Sequence, residues 1–327
     1  MKSKIAVLVA TYNGEKYILE QLLSIEKSMA KTEKVREYEI LVRDDGSTDN
    51  TVQVVKDYGE SNSSVTLVED MYKRGFKNSF KYLMSLVPED VDYIFFSDQD
   101  DIWEEEKVNR FLDVAGEVTD VPLLVYSDLL MFGEVLELPI KLSNFYKWEH
   151  DNDGIPAWLL ANTVTGAAMM INYQLLARVL TLTDEVWEKE RYHDWLIAKV
   201  AGLTGEYRYI DMPLTKYRQH ANNASHDWNR TSGLKMNQLK MYIEDWTRMY
   251  YEIFSRNHAL QKSLNANSMP DKSRTLLAKF SKFAVGGRLY RVFHFVPFLI
   301  VLQPNEKSVM RQYAKFITFV LFGKRVK

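Results

Sequence analysis

The chain has 327 residues, of which 46% are hydrophobic and 26% charged, enough to build one large domain with an appendage and too apolar for a disordered protein. It contains no cysteine, which excludes disulfide frameworks, zinc–thiolate and iron–sulfur sites and any thiol nucleophile. The formal charge of −2 hides a division: residues 1–230 hold 25 Lys and Arg against 39 Asp and Glu, whereas residues 231–327 hold 17 against 5, so an anionic partner is expected for the tail, a solvated basic face being the alternative.

In chain order, the first apolar run, Ile5–Ala10, has strand length and is followed at once by a charged segment. It reads as a buried strand and not as a signal peptide. Up to about residue 130, strands are expected at Ile5–Ala10, Glu39–Arg43, Val65–Glu69, Tyr93–Ser97 and Leu123–Tyr126. Segments of helical period separate them at Tyr17–Met29, Thr51–Tyr58, Phe76–Leu86 and Lys107–Val114. This alternation is the α/β pattern of a mostly parallel sheet with crossover helices, whose ligand lies beyond the carboxyl ends of the strands.

An irregular stretch from Phe132 to Trp158 mixes Gly, Pro, Asn and aromatic residues and reads as an active-site loop or a small subdomain. Regular structure is expected again at Thr163–Ile171, in a helix near Asp194–Ala201, and at Glu206–Asp211 and Leu214–Tyr217. From about Gly233 the chain turns helical and basic, with one long amphipathic helix marked by apolar residues from 239 to 254. Asn265 to Asp271, with Pro270, is the expected linker. The division is therefore an α/β domain over 1–227 and a helical basic region over 228–327.

The first strand ends in Ala10-Thr11-Tyr12-Asn13-Gly14 and the second in Arg43-Asp44-Asp45-Gly46-Ser47. Alone, the second is a turn followed by a helix cap. The fourth strand runs straight into Ser97-Asp98-Gln99-Asp100-Asp101-Ile102-Trp103, and three carboxylates within four positions at the end of a buried strand repel one another unless a cation neutralises them. Mg²⁺ or Mn²⁺ suits oxygen ligands, is held by one or two protein carboxylates, and leaves its other positions to water and diphosphate oxygens. Asp101 reads equally as a cap for the helix starting near Glu104.

ATYNGE, RDDGSTDNT, FFSDQDDIW and the later HDW resemble the family 2 glycosyltransferases. With NTVTGAAMM and YRQH the chain is most similar to bacterial rhamnosyltransferases of cell-wall and capsular polysaccharide synthesis, over about residues 4–227. The resemblance implies the GT-A fold, a Rossmann-like mixed sheet flanked by helices. It also implies inverting transfer of a sugar from a dTDP- or UDP-sugar donor, dTDP-L-rhamnose or a UDP-hexose, onto a lipid-linked saccharide. By the family pattern, Thr11, Tyr12 and Glu15 line the nucleoside, and Asp45 accepts from the imide N–H of uracil or thymine. Asp98 reaches the ribose or sugar and, with Asp100, the metal. Arg74 and Asn78 fall where the base or phosphate lies, or merely at an exposed helix start. Gly166 lets the backbone approach the donor sugar, or permits tight packing.

Inversion needs a base that takes the acceptor hydroxyl's proton as the bond to the diphosphate stretches. Asp194 matches the family's base position, and a helix N-cap is its structural alternative. His193 orients that carboxylate or contacts the donor, and Arg218 and His220 offset the leaving diphosphate, His220 also as a metal ligand. Trp148 and Trp158 either stack on acceptor sugars or pin their loop. A catalytically inactive nucleotide- or saccharide-binding assembly protein is the alternative from another class, and the intact carboxylate set counts against it.

The tail holds two aromatic–apolar runs, Val292–Leu302 and Phe316–Phe322, flanked by Arg288, Arg291, Arg311, Lys315, Lys324 and Arg325. Both are shorter than the roughly 20 residues needed to span a bilayer. They read as interfacial segments on an anionic membrane surface, placing the enzyme in the cytoplasm at the inner face of the membrane. Packing on the catalytic domain or a homodimer contact is the alternative. Nucleic acid is not an expected partner, because the aromatics cluster with aliphatic residues instead of alternating with Lys and Arg.

Overall fold

The computed structural model describes residues 2–70, 72–117, 120–148, 150, 154–220, 239–287, 289–292 and 320. The chain divides into two compact units: Met1–Asp153, Asn162–Leu180 and Arg191–Asn223 form the first, and Gly154–Ala161, Thr181–Glu190 and Ala224–Lys327 the second. The second unit thus takes two short segments from within the 1–227 region as well as the tail.

The first unit is a mixed sheet. Its strands are β1 (Ser3–Thr11), β2 (Val35–Asp44), β3 (Val65–Val68), β4 (Tyr93–Ser97), β5 (Ile102–Trp103), β6 (Leu123–Gly133), β7 (Ile140–Lys141), β8 (Met169–Asn172) and β9 (Glu206–Gln219). Their spatial order is β3-β2-β1-β4-β8-β6-β9-β5, with β7 on β6. Strands β3, β2, β1 and β4 pair in parallel, β8 runs antiparallel to both β4 and β6, and β9 is parallel to β6. The helices of this unit are α1 (Ile18–Ala30), α2 (Thr51–Ser61), α3 (Phe76–Ser85), α4 (Lys107–Ala115), α5 (Leu142–Tyr146), α6 (Tyr173–Leu180) and α8 (His193–Thr204).

Central strand β1 shows why the sheet needs helices on both faces. Ile5, Val7 and Val9 point one way and Ala6 and Leu8 the other, and all five are fully buried, as an interior parallel strand requires. Ile18, Leu22, Ile25 and Met29 of α1 recur at helical spacing and join Ile5, Val7, Val9, Val42, Phe95 and Phe111 in one apolar cluster. Burying each such side chain contributes about 1.5–3 kcal/mol.

Several elements depart from the sequence expectation. The two expected strands at 206–211 and 214–217 are one strand, β9, continuous through Pro213. Its register against β6 shifts where Pro213 faces Asp128, and that irregularity accommodates a residue with no N–H to donate. Thr163–Ile171 is not one regular segment: a 3₁₀ turn at Gly166–Ala168 precedes the short β8.

In the second unit, α7 (Asp184–Lys189), α9 (Leu239–Ser263) and α10 (Asp271–Val285) are the helices. The expected linker at 265–271 is a 3₁₀ turn, Ala266–Ser268, leading into α10. Phe280 and Phe283 of α10 pack on Phe254 of α9, with ring centroids 5.8 and 5.5 Å apart. Trp158 also belongs to this unit and is fully buried, which removes it as a stacking surface for sugars. Arg291, expected among headgroups, is likewise buried and donates to the carbonyls of Phe283 and Ala284. Most of the two aromatic–apolar runs, with Arg288, Arg311, Lys315, Lys324 and Arg325, lies outside the described residues. Among the described residues, no helix is long and apolar enough to cross a membrane.

Candidate active site

The topology gathers the motifs at one edge of the sheet. Strands β2, β1 and β4 are adjacent and parallel, so their exits bring Asp45, Thr11–Tyr12 and Asp98 side by side at strand spacings of about 5 Å. Strand β6 runs in the same sense as β4, because β8 is antiparallel to both, and β9 follows β6. The exit of β9 therefore delivers Arg218 and His220 to this edge, whereas antiparallel β8 delivers its entry, the Gly166–Ala168 turn.

Asp45 is the most heavily held side chain of the Asp44-Asp45-Gly46-Ser47 turn. Its Oδ1 accepts from Arg43 Nη1 at 2.8 Å and from the Arg74 N–H at 2.7 Å, and the Gly75 N–H is shared between Oδ1 at 3.2 Å and Oδ2 at 3.0 Å. Partial burial works against its charge, but these donors outweigh that and hold the carboxyl below its ordinary value. Thr11 and Tyr12 are tied to Gln99: the Thr11 hydroxyl donates to Gln99 Oε1 at 2.6 Å and the Tyr12 N–H at 2.7 Å, while Gln99 Nε2 donates to the Tyr12 carbonyl at 3.1 Å. Tyr12 keeps an exposed ring. Glu15 turns instead to the start of α2, where its Oε2 accepts from the Asn50 N–H at 2.8 Å. Arg74 pairs with Asp70 and lies over the Tyr82 ring, and exposed Asn78 donates to the Arg74 carbonyl at 3.1 Å.

The carboxylate run lies between β4 and β9. Burial, then the charges of Asp100 and Asp194, push the Asp98 carboxyl up to about 8, with Lys107 acting in the opposite direction. Asp100 Oδ2 lies 2.8 Å from His220 Nε2, and the His220 ring stacks on Tyr17. Asp101 does not cap a helix. It is buried, its Oδ1 accepts from the Arg218 N–H at 3.1 Å, and its Oδ2 has no hydrogen-bond partner. Helix α4 begins only at Lys107, with no side-chain cap. Burial raises the Asp101 carboxyl well above its ordinary value, reinforced by Asp100 and Asp98.

Among the described residues no three Asp, Glu, His or Cys side chains converge as a preformed metal cage. Crowded carboxylates, an orphaned buried oxygen on Asp101 and an imidazole beside Asp100 are nevertheless the donor chemistry a hard divalent ion fits when a diphosphate and water complete its shell. Arg218 is committed elsewhere: its Nε donates to the Asp100 carbonyl at 2.8 Å, its Nη2 pairs with Glu20 at 2.6 Å, and its guanidinium lies over Tyr17 and Phe132. It holds the carboxylate loop against β9.

Asp194 sits in the first turn of α8. Its Oδ1 accepts from Asn162 Nδ2 at 3.0 Å and from the Trp195 N–H at 2.6 Å, and its Oδ2 from the Gly166 N–H at 3.0 Å. It remains partly open to solvent. His193 does not orient it. The ring is buried, stacks on Phe80 at 4.1 Å beside Phe76 and Phe96, and has no hydrogen-bond partner on either nitrogen. Burial holds its pKa down to about 3, so it packs as a neutral ring. Gly166 is needed by this packing, since a Cβ there would lie 2.8 Å from His193 Nε2.

Four organising residues were not singled out from sequence: Gln99, Arg43, Asn162 and Lys107. Fully buried Lys107 donates to the Ala167 carbonyl and to Thr215 Oγ1, each at 2.8 Å, and so ties the Gly166–Ala168 turn to β9. Arg43 had a legible signal, a cation set between the apolar run Ile40–Val42 and the carboxylates Asp44 and Asp45; Asn162 had none.

Residues 6–127 match glycosyl transferase family 2. The dTDP-rhamnosyl transferase RfbG of Shigella flexneri is 29% identical over 224 residues, covering 66% of this chain and 72% of that protein. Among solved structures, S. aureus TarS 1–349 in complex with UDP-GlcNAc has a TM-score of 0.55 at 17% identity, covering 98% of this chain and 88% of that one. The mannosyltransferase PcManGT from Pyrobaculum calidifontis, in complex with GDP-Man and Mn²⁺, has a TM-score of 0.52 at 16% identity, covering 98% and 81%. At those identities the likeness is one of fold. Residues 6–127 thus match the family 2 glycosyltransferases, the fold is of the GT-A kind, and the chain resembles rhamnosyltransferases.

Proposed function

We propose that the protein transfers L-rhamnose from dTDP-L-rhamnose, with inversion, onto a lipid-linked saccharide in surface-polysaccharide synthesis. The observation that carries this reading is one sheet edge bearing a fixed base-side acceptor, Asp45, a carboxylate run, and an oriented carboxylate, Asp194. The similarity to a dTDP-rhamnosyl transferase supports the choice of donor. Asp194 takes the acceptor hydroxyl's proton as that oxygen bonds to the anomeric carbon from one side. The sugar–diphosphate bond breaks on the other, and the nucleoside diphosphate leaves with its electron pair. Asn162 and Gly166 aim the carboxylate.

Mg²⁺ or Mn²⁺ would be held by Asp98 and Asp100 with His220 beside them, and would supply positive charge to the diphosphate. The basic tail, with 12 Lys and Arg against 2 Asp and Glu over residues 271–327, supports peripheral attachment to an anionic inner leaflet where a lipid-linked acceptor resides. A UDP-hexose donor is the second reading, because uracil and thymine present the same imide edge to Asp45. Nucleotide release from dTDP-rhamnose, UDP-glucose, UDP-galactose and UDP-N-acetylglucosamine decides between them. Turnover of dTDP-rhamnose alone is the expected result, and turnover of none would leave a nucleotide-binding protein. Excess EDTA should abolish release, and Asp100→Asn should lose most of it while the protein stays folded.

A further inference from the structure

Arg43 is a charged side chain with no exposed surface, set in the strand that delivers Asp45. Four donor contacts radiate from it: Nε to Asp70 Oδ2 at 3.0 Å, Nη1 to Asp45 Oδ1 at 2.8 Å and to Ser79 Oγ at 2.6 Å, and Nη2 to the Tyr72 carbonyl. Asp70 also pairs with Arg74, so one guanidinium ties β2, the chain around Asp70–Gly75 and α3 into a single polar network. Burying an ion this completely is costly unless every donor is used and the geometry matters.

The consequence falls on Asp45. A carboxylate has two oxygens with about two lone pairs each. Oδ1 is filled by Arg43 and the Arg74 N–H, with a further long contact from Gly75, whereas Oδ2 takes only the shared Gly75 N–H. Capacity for a ligand donor therefore remains on one oxygen. An acceptor of this kind suits a base edge with a single N–H between two carbonyls, the imide of uracil or thymine. Guanine offers two adjacent donors, N1–H and the 2-amino group, and asks for both oxygens. Cytosine and adenine present an unprotonated ring nitrogen, which the carboxylate repels.

We propose that Arg43 is a specificity-determining positioning residue: by occupying Asp45 Oδ1 it makes the carboxylate a one-oxygen acceptor that selects an imide pyrimidine nucleotide and rejects guanine. The inference rests on the proposed function, in which Asp45 reads the base. Removing the guanidinium opens one acceptor position on Oδ1, which keeps the Arg74 N–H, so affinity for imide nucleotides falls while the barrier to guanine relaxes. A merely structural role would weaken all nucleotides alike.

The test is calorimetric binding of UDP, dTDP, CDP and GDP to the full chain and to Arg43→Gln, with circular dichroism to confirm the fold. Wild type is expected to prefer UDP and dTDP over GDP by about 100-fold, the order of discrimination that hydrogen-bond pairing to one base edge gives. Arg43→Gln should lose about tenfold for UDP and dTDP with GDP changed by less than about threefold. A uniform loss across the four nucleotides, or no change, overturns the inference. Should Arg43→Gln fail to fold, Ser79→Ala keeps both ion pairs but loosens the guanidinium, and should narrow the UDP-to-GDP ratio by about two- to fivefold; an unaltered ratio overturns the inference equally. A wild type that binds none of these nucleotides overturns the proposed function as well.

Discussion

Asp194 holds two acceptor oxygens toward three donors, and that arrangement separates its chemistry from its packing. Asp194→Asn keeps the shape of the helix start but cannot take a proton, so transfer should fall by roughly 10²–10⁴-fold, with nucleotide affinity within about twofold of wild type. A near-native rate in single-turnover measurements would make Asp194 structural. Asp70 sets a different expectation. The hydrogen bond from Arg74, which outweighs opposing desolvation and is joined by those from the Tyr72 N–H and Arg43, holds its carboxyl down to about 2, below the 3.8 of the free group. A depressed folded value means the unfolded chain takes up the proton first, so stability is present in full above about pH 4 and is lost as pH falls through about 2. The urea midpoints of wild type and Asp70→Asn should therefore differ at pH 7 and converge on acidification. A gap that stays constant down to pH 2.5 would show that Asp70 acts through shape alone.

At the scale of elements, the pairing of β6 with β9 connects stability to the site. Gly133 closes this pairing opposite Gln219 with φ +125°, and a Cβ would meet the Gln219 carbonyl at 2.4 Å. Gly133→Ala is expected to cost about 1–3 kcal/mol and to disturb Arg218 and His220 just beyond. A thermal melt should therefore show a lowered midpoint together with weakened donor turnover; an unchanged midpoint would mean the strand end yields freely. The same scale explains two sequence misreadings. Asp101 follows β4 by four residues and looks like a cap, but β5 (Ile102–Trp103) pairs with β9 and carries Asp101 under Arg218, away from the helix start. His193 looks like a partner for the adjacent Asp194, yet successive residues of a helix point about 100° apart, and the ring goes to Phe80 while the carboxylate goes to Gly166.

At the scale of the whole molecule, the second unit changes how the membrane proposal is to be tested. Leu277, Phe280, Phe283 and Ala284 of α10 are buried, with Lys272, Arg274, Lys279 and Lys282 outside. Truncation before Pro270 would strip that apolar face from α9 and is expected to give an aggregating protein. Ending the chain after Val292 keeps α10 and Arg291. That shorter protein should fold, retain donor turnover and lose salt-sensitive co-sedimentation with anionic liposomes, each lost basic residue near the surface being worth about 1 kcal/mol. Equal partitioning of the full and shortened chains would remove the membrane role.

The sequence by itself determined the parallel half of the sheet and the motif loops, because alternating apolar strands and amphipathic helices are local patterns and Asp45, Asp98 and Asp100 directly follow such strands. The place of Asp194 at a helix start was legible too, since a helix was expected from about that residue. What only the tertiary structure decided are the partners: Arg43 beneath Asp45, Lys107 and Thr215 on the Ala167 carbonyl, Asn162 on Asp194, and Arg218 given to Glu20 and the Asp100 backbone. Each joins residues on different elements, from two to nearly two hundred positions apart. Sequence spacing reports the period of one helix or strand, whereas which charge meets which is fixed by strand order and by the direction in which β8 reverses within the sheet.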